Sequence, residues 1–394
     1  MKTALCSRVA AAAASVFTLS MALGQSCEPV LLGAADSPNR DYAVAMDGPL
    51  AFVCDLDTSV PLDHALVVLD FTDIAAPIQI GSLDLADGPW DVVVRDGLAY
   101  VAADDEGLLI VDVSDPSAPV LIGQGSGPSG AQGVDLANGF AYVAGGRSDG
   151  LWIFDITDPA APVSVGFVTM PQHAFKVRVA GSRAFVASLG GGLQIVDVSA
   201  PAAPAVLGSL DYTCSGCSVN DVVVVDDLAY LAVQSWGLRI VDVSDPTAPV
   251  EVGEYRMDDL AYGVAVRGST VLVGGASGLS VFDASDPTLP VMIGSLQTTP
   301  AGSAFRPALR DDLAFVPVRG AGPLVIDIGS CFGSGPCNDA DFAEPFGVLD
   351  TADVSAFVDA FLAAETGADL DASGVFDLRD VTLFIGLFVG GCPS

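Results

Sequence analysis

Apolar residues in this chain come in short runs that end abruptly at Asp, Gly or Pro. The stretch LLIVDVSDPSAPVLIGQ, residues 108–124, is representative. It begins as a buried strand, breaks at Asp-Pro, breaks again at Ala-Pro and resumes as a strand. The same shape returns in LQIVDVSAPAAPAVLGS (193–209), LRIVDVSDPTAPVEVGE (238–254) and LSVFDASDPTLPVMIGS (279–295). The Asp that ends the apolar run falls at Asp70, Asp112, Asp155, Asp197, Asp242, Asp283 and Asp327, spaced by 42, 43, 42, 45, 41 and 44 residues. Such a period marks one supersecondary unit repeated along the chain, here seven times.

Within a unit, PIQIGSLDLADGPWDVVVRDGLAYVAADDEGLLIVDVSDPSAP (77–119) holds four apolar runs: IQIG, DVVV, AYVA and LLIVDV. The middle pair is joined by RDG, a hairpin signal that other units replace with ANG, AGS, VDD, RGS, RDD or MDGP. Each unit is therefore predicted to be a four-stranded antiparallel meander, the size of one propeller blade. Runs such as DVVVVDDLAYLAV (221–233) alternate little, as expected of sheets covered on both faces. Proline stops the third strand, because it fixes φ and cannot donate to a ladder. The Asp residues beside it, Asp112 and Asp115 among them, recur in nearly every unit and are assigned to the turn rather than to chemistry.

Units of the form L-x-I-V-D-V-S-D-P-x-x-P closely resemble the LVIVD-repeat proteins, a family of exported bacterial and archaeal β-propellers. The resemblance covers about residues 29–330 and implies an all-β, seven-bladed propeller of four-stranded antiparallel blades. It says little about activity, since propellers host many functions.

Ring closure follows from the repeat frame. PVLLG at 29–33 has no third strand before it, and LVIDI at 324–328 has no outer strand after it. Together they complete one blade and leave no open edge. Cys331 then stands four residues after Asp327, where Ile74 follows Asp70, and Cys27 two before Pro29, where Ala75 precedes Pro77. Those positions are neighbours in an unbroken blade, so a Cys27–Cys331 disulfide is predicted, with Cys54 left as a buried thiol in its strand.

Formal charge is −34, from 15 basic and 49 acidic residues. That argues against nucleic acid or anionic lipid as a partner and suits solubility and cation binding. The N-terminus, MKTALCSRVAAAAASVFTLSMALGQSC, reads as a secretory signal over residues 1–24, cleaved after Gly24. Neither its apolar run nor VTLFIGLFVGG (381–391) is long enough to span a bilayer, so the mature chain is expected to be secreted or at the cell surface, with no transmembrane segment. Export permits disulfides. Cys214 and Cys217 form a CxxC; zinc would want a second pair or nearby histidines, and His64 and His173 are isolated, so a local loop disulfide fits better. His173 is placed on the loop surface and His64 is left without a role.

After the propeller (25–330) comes a Gly/Pro linker (331–336) and then a different composition (337–394). From Asp369, oxygen ligands stand at Asp369, Asp371, Ser373, Asp377 and Asp380, positions 1, 3, 5, 9 and 12, with Gly374 at the sharp turn and the Val375 carbonyl at 7. This is calcium-loop spacing. An earlier loop with Asp341, Glu344, Asp350 and Asp353 carries an extra residue and lacks the Asp at 5, which weakens it as a site. Asp at position 12, followed at once by an apolar helix, resembles the F-hand of dockerin modules. Cys337 and the closing GCP with Cys392 resemble the variant dockerins of Planctomycetes-type bacteria. The resemblance implies a small α-helical module, calcium as its cofactor, a Cys337–Cys392 disulfide, and a cohesin-like or cell-surface protein as partner.

Aligning the innermost strands gives one column at the funnel mouth: Tyr42, Trp90, Gln132, Phe175, Asn220, Tyr262 and Phe305. Aromatics beside amides suit a ligand platform for carbohydrate or peptide; they also suit a plug of the central channel. Asp91, Lys176, Asp221 and Arg306 fall one position further in, where acids and bases can pair. With two histidines and no Ser-His-Asp, metal cluster or phosphate loop, the chain reads as a non-catalytic binding or scaffold propeller on a docking module. The alternative is a secreted carbohydrate hydrolase or lyase acting through Asp91 and Asp221, which lie in nearly opposite blades.

Overall fold

The structure is a computed structural model that describes residues 27–35, 41–56, 64–146, 150–212, 217–298 and 302–331. The signal segment, Cys214 of the CxxC pair, and the linker and C-terminal module beyond Cys331 lie outside the described residues.

Seven four-stranded antiparallel sheets form a closed ring of blades. Blade 2 shows the plan: Pro89–Arg95 innermost, then Leu98–Ala103, Gly107–Asp112 and Val120–Gly125 at the outside. Blades 1, 3, 4, 5 and 6 repeat it over residues 41–85, 133–168, 173–210, 219–255 and 261–297. Blade 7 is composite. Its first three strands are Ala308–Arg310, Leu313–Val316 and Leu324–Asp327, and its outer strand is Val30–Ala34 from the other end of the chain. The predicted closure is what the ring uses. In blades 2 and 3 the inner hairpins turn through two left-handed residues, Asp96 and Gly97 at φ 53° and 74°, and Asn138 and Gly139 at 52° and 80°. That twist matches the strands, which is why Asp-Gly and Asn-Gly stand there.

The core is divided among the gaps between blades. Val101 and Leu109 pack toward blade 1 with Phe52 and Leu66, while Tyr100 and Ile110 of the same two strands pack toward blade 3 with Val134 and Phe154. Successive side chains point to opposite faces and both faces are covered, so the runs are apolar without alternation.

The Asp-Pro break has two purposes. The first is the turn itself. Asp112 Oδ1 accepts the Ser114 N–H at 2.9 Å, and Asp115 Oδ1 accepts both the N–H and hydroxyl of Ser117 at 3.0 and 2.6 Å. Asp70, Asp155, Asp197 and Asp242 do the same with Thr72, Thr157, Ser199 and Ser244. The second is docking. In all seven blades the outer strand bulges one residue before a glycine. A Cβ on Gly81, Gly123, Gly166, Gly208 or Gly253 would collide with the carbonyl of Pro116, Pro159, Pro201, Pro246 or Pro287 in the next blade. Each proline turn thus rests on the bare backbone of the preceding blade.

The turn hydrogen bonds hold the carboxyls of Asp70, Asp112, Asp115, Asp155, Asp197, Asp242, Asp245 and Asp286 below the usual Asp range. A carboxyl lowered by folding adds stability that is complete above its unfolded pKa and lost as pH falls through the folded value. The denaturation midpoint is therefore expected to hold down to about pH 4 and to drop below it. An acid titration followed by circular dichroism checks this; a midpoint unchanged well below pH 4 contradicts it.

Cys27 and Cys331 are disulfide-bonded, with Cα atoms 4.6 Å apart. The bridge occupies the turn position of blade 7: a Cβ on Gly294 would meet Cys27, as its counterparts in blades 1 to 5 meet proline carbonyls and Gly33 meets the Ile74 carbonyl. Cys27 N–H donates to Ile293 O at 2.9 Å, and the Glu28 N–H to Ser330 Oγ at 3.2 Å. Cys54 is a buried free thiol, its pKa pushed well up by burial.

Candidate functional site: the funnel mouth

The column residues owe their direction to a second set of bulges. In the innermost strands of blades 1, 2, 4, 5 and 6 the register slips at Tyr42, Trp90, Phe175, Asn220 and Tyr262. Each is the extra residue of its strand, unopposed in the ladder, and a bulge re-aims its side chain. Phe305 reaches the same level just ahead of its strand, its N–H bonded to Pro317 O at 2.9 Å.

Six of the seven column residues, all but Gln132, line one cavity of about 240 Å³. Gln132 instead bonds the ring of His173, which is the first residue of strand His173–Ala180 and lies edge-on to Phe175 at 6.2 Å. His173 is thus partly buried beside the funnel, not on a loop surface, because the inner strand of blade 4 begins earlier than its polar context implies. His64 likewise starts a strand, His64–Asp70, and is buried.

The aromatics form a continuous wall. Ring centroids lie 5.6 Å apart for Tyr262–Phe305, 4.7 Å for Phe305–Tyr42, 4.8 Å for Tyr42–Trp90 and 6.3 Å for Trp90–Phe175. All five rings are half-buried, so they pack on one another and still present surface to the cavity.

One position inward, Lys176 Nζ pairs with Asp91 Oδ2 at 3.2 Å and donates to Trp90 O at 3.0 Å, and Arg306 Nε lies 3.5 Å from Asp221 Oδ2. Each pair reaches across an intervening blade, and the residue passed over is a glycine. A Cβ on Gly133 would run into Phe175 O and the Lys176 backbone, and one on Gly263 into Arg306. The same carboxylates also fasten the skipped blade: Asp91 accepts the Val134 N–H at 3.2 Å and Asp221 the Val264 N–H at 3.0 Å. Blades 2–3–4 and 5–6–7 thus repeat one device, acid, glycine, cation, with Ala43 of blade 1 outside it.

Burial pushes the Asp221 carboxyl up to about 6, against the pull of Arg178, the Val264 N–H and Lys176. A raised carboxyl in a cleft is the usual mark of a general acid. Both oxygens of Asp221 are already engaged, however, Oδ1 by the Val222 N–H at 2.9 Å and Oδ2 by Val264 and Arg306.

Sequence reasoning placed the column and the acid–base pairs. It missed the two glycines, although a glycine at the column's inner position in blades 3 and 6 was there to be seen. It also missed Arg319 and Ser303, which line the cavity from the rim of blade 7. Their backbones pair, Arg319 N–H to Ser303 O at 3.0 Å. Around the CxxC, Cys217 is buried and disulfide-bonded. Nearby, Tyr212 donates to Glu251 at 2.7 Å, and the buried Arg239 pairs with Glu254 and sits 5.0 Å over the Trp236 ring.

The closed ring of seven four-stranded sheets defines a seven-bladed β-propeller with an aromatic-lined cavity at its funnel mouth. The LVIVD repeat matches residues 89–125, 129–170, 171–212, 216–257 and 260–298, together just over half of the chain, and the protein belongs to the LVIVD-repeat family. The crystal structure of a computationally designed protein, Ika8, is similar, with a TM-score of 0.55 over 77% of this chain and 99% of its own. At 9% identity that likeness is one of fold alone. No curated protein matches the chain. Among the described residues, no helix is long and apolar enough to cross a membrane, and no group of His, Cys, Asp and Glu could hold a metal.

Proposed function

We propose that the protein is an exported, non-catalytic binding propeller whose funnel mouth takes a ligand, carbohydrate or peptide. Its C-terminal segment would act as a calcium-ordered docking module that attaches it to a protein or a cell surface. The observation that carries the reading is the state of the funnel. Five half-buried aromatics and Asn220 converge on one cavity, while the acids beside them, Asp91 and Asp221, are bonded to cations and to backbone N–H groups. Carboxylates so engaged hold blades together; a glycosidase needs an acid–base pair free to move protons.

The docking half rests on the sequence from Asp369, where hard oxygen ligands stand at calcium spacing. Asp369, Asp371, Ser373, the Val375 carbonyl, Asp377 and Asp380 would hold the ion, and Cys337–Cys392 would close the module. In calorimetry of the full chain, calcium is expected to bind at one site and to lose that site in Asp369→Ala. A pull-down from the native envelope is expected to retain its partner only with calcium. Absence of calcium heat at millimolar concentration removes the docking half. Polysaccharide cleavage lost in both Asp91→Asn and Asp221→Asn removes the non-catalytic half.

A further inference from the structure

The chain carries 15 basic residues against 49 acidic ones. The funnel reverses that ratio: its lining has three cations, Lys176, Arg306 and Arg319, and one acid, Asp221. Two of the cations are answered. Lys176 is matched by Asp91 beneath it, and Arg306 gives its Nε to Asp221. Two capacities are left over. The terminal nitrogens of Arg306 make no hydrogen bond among the described residues. The Arg319 guanidinium, exposed at the rim, has neither hydrogen bond nor ion pair there. Counting the lining residues and Asp91, the balance is one positive charge in surplus; Asp259, which acts on the Tyr262 hydroxyl from outside the lining, is engaged by the Leu260 and Ser277 N–H groups.

Both free guanidinium faces belong to blade 7, and the backbone brings them together. Ser303 pairs with Arg319, Ala304 bridges Val318 and Phe305 N–H bonds Pro317 O, so Arg306 and Arg319 flank a single two-stranded rim with Phe305 between them. Phe305 is the second ring of the aromatic wall, with Tyr42 on one side and Tyr262 on the other. A planar fork that can grip a carboxylate in two places thus adjoins a surface made for a ring.

We propose that the funnel binds a small carboxylate carried on a ring, the carboxylate gripped by Arg306 and Arg319 and the ring laid on the Tyr262–Phe305–Tyr42 wall. This rests on the reading of the funnel as a binding site and names its ligand class. A cavity of about 240 Å³ suits one ring rather than a chain of them. An aromatic wall alone would also suit a quaternary ammonium, but the Arg319 charge beside it, which no carboxylate of the lining answers, opposes a cation. A neutral sugar would leave the surplus charge and the Arg319 fork unanswered.

The test is calorimetry with the full chain at neutral pH, using glucuronate and galacturonate, benzoate, glucose and choline as probes, on the wild type and on Arg319→Gln. Arg319 is exposed and unbonded, so its replacement leaves the fold intact. The expected result is that at least one carboxylate binds, with its neutral counterpart weaker by roughly tenfold or more. In Arg319→Gln the carboxylate should lose about the same factor, and added salt should weaken it further. Binding of the uronates or of benzoate says whether the ring is a sugar or an aromatic one, and either supports the proposal. Glucose or choline binding as tightly as the acids, or a carboxylate affinity unchanged in Arg319→Gln, overturns it and leaves a funnel that binds something else. If no probe and no member of a neutral glycan and peptide panel binds in a way that Tyr42→Ala removes, the binding reading of the funnel falls as well.

Discussion

Replacing both Cys27 and Cys331 with alanine is expected to lower the stability of the propeller by about 3–5 kcal/mol. The bridge closes a loop of 304 residues, so in the chain-entropy account it removes much of the freedom of the unfolded chain. Its position gives a second reason. Blade 7 is the only blade whose outer strand comes from the other end of the sequence, and without the bridge Val30–Ala34 is held to Leu324–Asp327 by its ladder and by the hydrogen bonds between Glu28 and Ser330. In the other blades the third and outer strands are joined by a continuous turn of the chain. Equilibrium denaturation of the double variant checks the size of the effect. A midpoint equal to that of the wild type would mean that the ladder and the packing against Gly294 already suffice. Cys54→Ala is the control: this thiol is buried and unbridged, and its loss should cost no more than an ordinary core truncation, without opening the ring.

The repeat was legible because each blade solves the same problems with the same residues. Asp70 and its counterparts mark the turn, Asp-Gly and Asn-Gly mark the hairpin, and the orphaned strands at the two ends mark the closure. Even the disulfide followed, since Cys27 and Cys331 stand at repeat positions whose spatial relation the other blades define. What stayed hidden depends on geometry between blades. Counting in steps of two along Pro89–Arg95 does not reveal that Trp90 is an extra residue in its ladder. Nor does a glycine announce that a lysine from the next blade passes beside it on the way to Asp91. The column could be listed from sequence, but the fact that Gln132 leaves it to bond His173 is a matter of which strand begins early. Arg319, on which the proposed carboxylate site depends, sits at the rim of the cavity where no repeat position predicts it. Loops vary between blades while the strands do not, and function collects where the repeat is broken.

Gly166→Ala is expected to destabilise the ring by about 1–3 kcal/mol, a large effect for adding one methyl group near the surface. The cause is not backbone strain, since the residue's φ lies outside the left-handed region. An added Cβ would overlap the Pro201 carbonyl oxygen of the next blade, and a backbone atom cannot swing aside as a flexible side chain can. The outer strand of blade 3 would have to move away from the turn of blade 4, loosening the packing of Val165 against Val177 and Val196. Ser164→Ala, two residues away on the same strand and exposed, should change stability by less than about 0.5 kcal/mol. The same reasoning covers Gly123 and Gly253, whose added Cβ atoms meet Pro159 and Pro287. If these three variants unfold at the wild-type midpoint, the proline turns are not seated on the glycines. The recurrent pairing of glycine in one repeat with a proline turn in the next would then be a matter of turn formation alone.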